Sequence, residues 1–154
     1  MSEVLCANEP VPTPDERTMA TLCHVLQFVG GWIAPLVIFL LKRNSRFVSF
    51  HALQVLLLQG LYFFFSMVLV GGVFILGISS FASHPSGIRH DLPPEFLFFF
   101  LAFWLFSMGW FVLILVLAIM YGIKAGRGEW AEYPVLGRLA RRILGIGPRG
   151  ESLP

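Results

Sequence analysis

Charge is what this chain has least of. Only 13% of its 154 residues are Asp, Glu, Lys or Arg, about half the share of an ordinary soluble domain, while 56% are hydrophobic. So few charges cannot cover a water-soluble surface. Cysteine is nearly absent as well. Cys6 and Cys23 stand seventeen residues apart and make no CxxC pair of the kind that holds a metal. Neither an HExxH motif nor a glycine-rich phosphate loop occurs. "GIKAGRGEW" has glycines and basic residues, but it follows an apolar run rather than a strand and lacks the phosphate-loop lysine and hydroxyl spacing.

Ionisable groups are also missing from the longest apolar stretches. Residues 25–41, 53–82 and 96–123 contain no Asp, Glu, Lys or Arg. Charges buried in a bilayer mark proton relays, ion pathways and voltage sensors, so their absence argues against an ion-coupled transporter. It leaves room for an oligomeric channel or translocation component lined by backbone or subunit interfaces. Catalytic pairs are equally scarce. Ser49 and His51, like Cys23 and His24, diverge on a helix and so make no nucleophile–base couple. His84, His90 and Asp91 are the single local cluster of metal-ligand types, in a loop where histidines are commonly just solvated. The expectation is a non-enzymatic protein without metal or cofactor, and a lipid-directed membrane enzyme is the weakest alternative.

What remains is apolar sequence in runs long enough to cross a hydrocarbon core roughly 30 Å thick. The pattern predicts an all-α integral membrane protein with three transmembrane helices. A flexible acidic, proline-rich tail occupies residues 1–13 and lacks the basic and apolar regions of a cleavable signal peptide. Thr13, Pro14 and Glu16 then form a helix-start signature. The helical membrane domain covers residues 14–146. An amphipathic N-terminal segment leads into the first span, about 21–41, with a joint at Gly30 and Gly31. A kink is expected at Pro35, which has no N–H to donate to residue 31. Whether residues 14–30 lie in the interface or insert is left open by the pattern.

The second span covers about 50–82. The whole run 47–82 would be about 54 Å long as one helix, so its His51 end is expected to protrude into the interface. "SHPSGIRHDLPP" forms a connection of turn residues, and the third span covers about 95–123. In it Ala118, Gly122 and Gly126 recur every four residues, a spacing that lets another helix approach closely. A short amphipathic helix follows at about 134–145. It sets Val135, Leu136, Leu139, Ala140 and Ile143 against Arg138, Arg141 and Arg142, as in helices that lie on anionic lipid. A docking helix for a partner protein is the other reading of this pattern. Residues 147–154 are expected to be disordered.

Basic residues set the orientation. Lys42, Arg43 and Arg46 lie between the first two spans, and six more Lys and Arg follow the third, against Arg17 and Arg89 elsewhere. That bias puts the 42–46 loop and the C-terminus in the cytoplasm of a bacterial inner membrane, and the N-terminal tail outside. Asn44 or Ser45 is placed to cap the helix that follows. Polar side chains within the spans need partners across helices. His24, Gln27, Gln54, Gln59 and Ser66 are such residues, and His51 and Gln54, three apart, share a face. They read as interhelical hydrogen-bonding groups or, with His51, Gln54 and Gln59, as a polar groove for a lipid head group or peptide. The expected partners are membrane lipid and another membrane protein or further copies of this chain, with no nucleic acid.

Two stretches carry a family likeness. "PLVIFLLKRNSR" with "FVSFHALQVLLLQ", and "AIMYGIKAGRGEWAEYPVLGRL", resemble the small bacterial membrane proteins of domain of unknown function 4870. That group is similar, more distantly, to Tic20-like components of chloroplast protein import. The likeness covers roughly residues 17–144 and rests on Phe47, Val48, His51 and Ala52, then Lys124, Ala125, Gly128, Glu129, Tyr133 and Pro134. Family members often continue the His-Ala pair with an alanine and an asparagine, where this chain has Val55 and Leu57, and Gln59 keeps the later polar place. The resemblance implies a compact helical membrane domain without known catalysis.

Overall fold

The computed structural model describes residues 11–83 and 94–146. Residues 84–93 of the "SHPSGIRHDLPP" connection, with His84, His90 and Asp91, lie outside the described residues, as do most of the acidic tail and residues 147–154. Five α-helices and no strand occur among the described residues: α1 (Pro14–Gly30), α2 (Ile33–Leu41), α3 (Arg46–Ser83), α4 (Pro94–Gly126) and α5 (Leu136–Leu144).

The start of α1 follows from three residues, Thr13, Pro14 and Glu16. The Thr13 hydroxyl accepts from the Glu16 N–H at 3.3 Å, and the Glu16 carboxylate accepts from the Thr13 N–H at 2.8 Å. Two of the helix's orphan donors are thereby satisfied, while Pro14 sits where its missing N–H costs nothing. The helix ends at Gly31, whose φ of +53° a side chain would disfavour.

Here the structure corrects the expected first span. Residues 21–41 are two helices, broken at Gly31–Trp32 rather than kinked at Pro35. Pro35 falls in the first turn of α2, where backbone N–H groups have no intrahelical acceptor, so the ring breaks nothing. The nine residues of α2 reach only about 14 Å, well short of a hydrocarbon core. α2 packs back along α1, and Lys42 Nζ meets Asp15 Oδ2 at 2.8 Å. Segment 14–42 therefore goes out and returns. Its two ends, at Asp15 and Lys42, lie side by side.

Among the described residues two helices are long and apolar enough to cross a membrane, Arg46–Ser79 within α3 and Phe96–Gly126 within α4. Their large apolar side chains are bare: Phe74, Ile75, Leu97 and Phe98 are each about two-thirds exposed. Water would penalise each such side chain by about 1.5–3 kcal/mol relative to burial, whereas lipid tails would not.

The chain divides into two compact units. In Gly60–Ile114, aromatic contacts join the two helix segments. Tyr62 stacks on Phe106 with ring centroids 5.9 Å apart, and its hydroxyl lies 3.4 Å from that of Ser107. The other unit contains α1, α2, α3 to Gln59, α4 from Leu115, and α5. Its core is Ala20 and Cys23 from α1, Ile38 from α2, Phe47, Val48, Ala52 and Val55 from α3, and Ala125 from α4. Small residues dominate the α1 and α4 contributions, so these backbones approach closely.

Candidate functional site: a buried polar clasp

The second of these units is organised around three rings. α1 carries His24, the first turns of α3 carry His51, and Tyr133 lies on the connection between α4 and α5. His24 Nε2 and His51 Nδ1 are 3.2 Å apart, and the Tyr133 hydroxyl is 3.0 Å from His24 Nδ1. All three side chains are essentially inaccessible. The remaining ring nitrogen, His51 Nε2, faces the Glu129 backbone without reaching hydrogen-bond geometry.

The direction of this chain can be derived. Burial pushes the Tyr133 phenol above its ordinary range, so it stays a protonated donor at neutral pH. His24 Nδ1 is the hydrogen-bond partner of this buried hydroxyl, and a buried O–H needs an acceptor, so the hydroxyl donates to that nitrogen. A neutral imidazole that accepts at one nitrogen donates at the other, so His24 Nε2–H donates to His51 Nδ1. His51 in turn carries its proton on Nε2, aimed at the Glu129 carbonyl. The two hydrogen bonds then run in one sense, from Tyr133 through His24 to His51, and His51 Nε2 is left without a hydrogen-bond partner.

Gln54 fixes the third ring's backbone. One turn beyond His51 on the same face of α3, its Oε1 accepts from the Tyr133 N–H at 2.6 Å, and its Nε2 donates to the Ala131 carbonyl at 3.2 Å. A buried primary amide matches the donor and acceptor of an extended backbone segment, which an apolar residue would leave unsatisfied. Gln27 donates to the His24 carbonyl at 2.7 Å on α1. The connection needs its own devices too. Gly128 has a φ of +80°, and a Cβ there would come within 2.9 Å of Arg17 Nε. Trp130 packs edge-on to Phe47 with ring centroids 5.3 Å apart.

The residues singled out in the sequence fall into separate places. His51 and Gln54 do come together, both fully buried within the protein. Gln59, about 140° round the helix from Gln54, is half-buried and takes no part in the clasp. Gly122 and Gly126 receive α1: the Thr21 hydroxyl donates to the Gly122 carbonyl at 3.2 Å, and Ala118 is buried one turn earlier. Their helix partner is this chain itself. Ser45 is the residue that caps α3, accepting from the Val48 N–H at 3.3 Å. Arg43, Arg46, Arg138 and Arg142 are exposed and Lys42 is ion-paired.

Arg141 departs from the lipid-facing role expected of it. It is buried, its Nε lies 2.6 Å from Glu132 Oε1, and its guanidinium stands 5.1 Å over the Phe50 ring. The reason is helical phase. Gly137, Ala140 and Arg141 form the face that docks on the protein. The sequence marks His24 as a polar group needing a partner across helices but does not name His51 as that partner. Nothing local signals that contact, because 27 residues separate the pair.

A cavity of about 440 Å³ is lined by Pro14, Arg17, Thr18, Thr21, Leu22 and Gly126, none of them a clasp residue. Among the described residues no group of three or more His, Cys, Asp or Glu is placed to hold a metal ion.

Two lipid-length apolar helices among the described residues, and a buried polar cluster at the base of one of them, define a helical membrane protein. The chain belongs to the magnetosome magnetite crystal formation protein family (MamF_MmsF), whose model matches residues 15–140. It is also similar to the UPF0132 membrane protein MJ1443 of Methanocaldococcus jannaschii, at 28% identity over 130 residues, covering 83% of this chain and 87% of that one. No solved structure matches. The family match overturns the resemblance drawn from the His-Ala and Tyr-Pro motifs: the family is neither domain of unknown function 4870 nor a Tic20-like group. Those motif residues are mostly packing residues (Phe47, Val48, Ala52, Ala125) or clasp residues (His51, Tyr133), which report a shared way of folding more than a shared role.

Proposed function

We propose that this protein takes part in magnetite crystal formation as a non-enzymatic membrane component, acting through association with lipid and with other membrane subunits. The observation that carries this reading is the family match, which runs from the first turn of α1 to the middle of α5 and so spans every described helix. The arrangement of the polar groups supports a structural role. His24, His51, Tyr133 and Gln54 bond one another and the backbone, and the cavity lies elsewhere.

In this reading α3 and α4 cross a bacterial membrane twice, and α1 with α2 forms a hairpin that enters and leaves on one side. With two spans, every Lys and Arg except Arg89 falls on that side. The bias assigns it to the cytoplasm, and both chain ends with it. Reporters fused to the two ends test this directly: both are expected to be active in the cytoplasm, and opposite sidedness would restore a third crossing. The functional reading is tested by deleting the coding sequence from a magnetite-forming bacterium that carries it and measuring crystals by electron microscopy. Altered crystal size or number, restored by the intact gene, is expected. Unchanged crystals would overturn it.

A further inference from the structure

We infer that α5 is a reader of anionic lipid, using Arg138 and Arg142 but not Arg141. One face of α5 is already taken by the protein. Gly137, Ala140 and Arg141 are buried against the unit that carries the clasp, with Arg141 held by Glu132 and Phe50. On the opposite side Val135, Leu139 and Ile143 are exposed, at 75%, 43% and 57%, one turn apart from each other. Arg138 and Arg142 are exposed too, and helical phase sets them in a strip alongside. The outward face is therefore half apolar and half basic, divided lengthwise.

An anionic bilayer surface fits that face better than a protein does. A helix lying in the head-group region needs an apolar strip for the acyl boundary and cations beside it for phosphates. The charge around it points the same way. Of the described acids in this unit, Asp15 is paired with Lys42, Glu132 with Arg141, and Glu16 is bonded to Thr13 at the start of α1, while Arg43 and Arg46 on the α2–α3 turn are exposed cations. Glu129 is the exposed acid of the α4–α5 connection. α5 also begins only ten residues past the end of α4, one of the two lipid-length helices, which tethers it near a bilayer surface. Burying Arg141 has a further effect: it fixes which way α5 is rolled, so the other two arginines cannot turn inward.

The full-length protein is reconstituted in nanodiscs of phosphatidylcholine alone or with phosphatidylglycerol, and amide exchange of residues 135–144 is followed by mass spectrometry. A basic residue near an anionic surface is worth about fivefold in affinity, so the pair predicts about 25-fold. Markedly slower exchange in the anionic discs is expected, reversed by raised salt and abolished in Arg138→Gln/Arg142→Gln. Both side chains are exposed, so the double variant is expected to keep its fold, which the exchange of α1 and α3 checks. Equal exchange in the two discs would overturn the inference. So would anionic-lipid protection that survives the double variant. Protection already complete in neutral detergent with a stoichiometric protein bound would overturn it in favour of a protein partner. The result is independent of the mineral reading, since it requires no crystal.

Discussion

His24 Nε2 and His51 Nδ1 meet at 3.2 Å with both rings fully buried, one on the returning hairpin and one at the base of α3. Through the Tyr133 hydroxyl the same contact reaches the connection that carries α5. Three chain segments with little sequence proximity are thus held by one line of neutral hydrogen bonds. Such a line has two possible directions, and the buried phenol selects one.

That direction is measurable. Nitrogen NMR of labelled histidine should find both His24 and His51 with the proton on Nε2. Tyr133→Phe removes the donor that imposes this order, and His24 is then expected to show a mixture of tautomers while the helices stay folded. An Nδ1-protonated His24 in the unaltered protein would mean that the line runs the other way.

The His24–His51 contact should also appear as an energy of coupling. Alanine at either position leaves a buried partner unsatisfied and opens space, at a cost of about 1–3 kcal/mol for the lost hydrogen bond alone. Because each substitution exposes the other to the same defect, the double variant is expected to be less damaged than the sum, by about 0.5–3 kcal/mol. Thermal unfolding of the four proteins in one detergent gives the number, and strict additivity would show that the rings touch without bonding.

Gln54 makes a different kind of claim, because it bonds only backbone. Replacing it with Leu keeps volume but strands the Tyr133 N–H and the Ala131 carbonyl. The loosened connection is expected to be cut faster by trypsin at Arg127, with α3 and α4 otherwise intact. Gln59→Leu, outside the clasp, should leave the cleavage rate unchanged.

How much of this could be read from the chain alone depended on range. The start of α1 was legible because Thr13, Pro14 and Glu16 act within four residues. The α3 and α4 helices were legible because lipid imposes length and apolarity without regard to neighbours. The return of α2 was not, since a Gly-Gly joint permits a kink and a reversal alike, and only the packing against α1 distinguishes them. The same holds within α5. Periodicity grouped its three arginines together, but a single pairing with Glu132 and Phe50 removed Arg141 from the group.

Arg141 and Arg142 are adjacent and should nonetheless differ sharply. Arg141→Ala deletes a mostly buried ion pair and a cation–π contact, and it leaves Glu132 half-buried without its cation. Breaking a buried pair from one side costs about 3–5 kcal/mol, and partial exposure here reduces that to about 2 kcal/mol. Arg142→Ala lies on the exposed face, where substitutions usually stay within about 0.5 kcal/mol. Unfolding midpoints in detergent, away from lipid, separate the two, and equal effects would argue that Arg141 is not anchored.

Glycines test the close approaches. At Gly122 an added Cβ would meet His24 Cβ at 3.7 Å and Thr21 Cγ2 at 4.0 Å, ordinary packing distances, so Gly122→Ala is expected to be tolerated. At Gly137 the same atom would stand 2.6 Å from Glu132 Cβ and 3.0 Å from Glu132 Cα, where nothing flexible can yield. Gly137→Ala must then push α5 away from the segment that holds Tyr133, with overpacking worth about 1–3 kcal/mol. Glu132 would lose its register with Arg141 in the same movement. The expected result is a lowered unfolding midpoint and faster amide exchange throughout residues 131–144, with α1 unaffected. If Gly122→Ala proved the more damaging of the two, the small residues of α4 would be the tighter joint, and α5 only loosely attached.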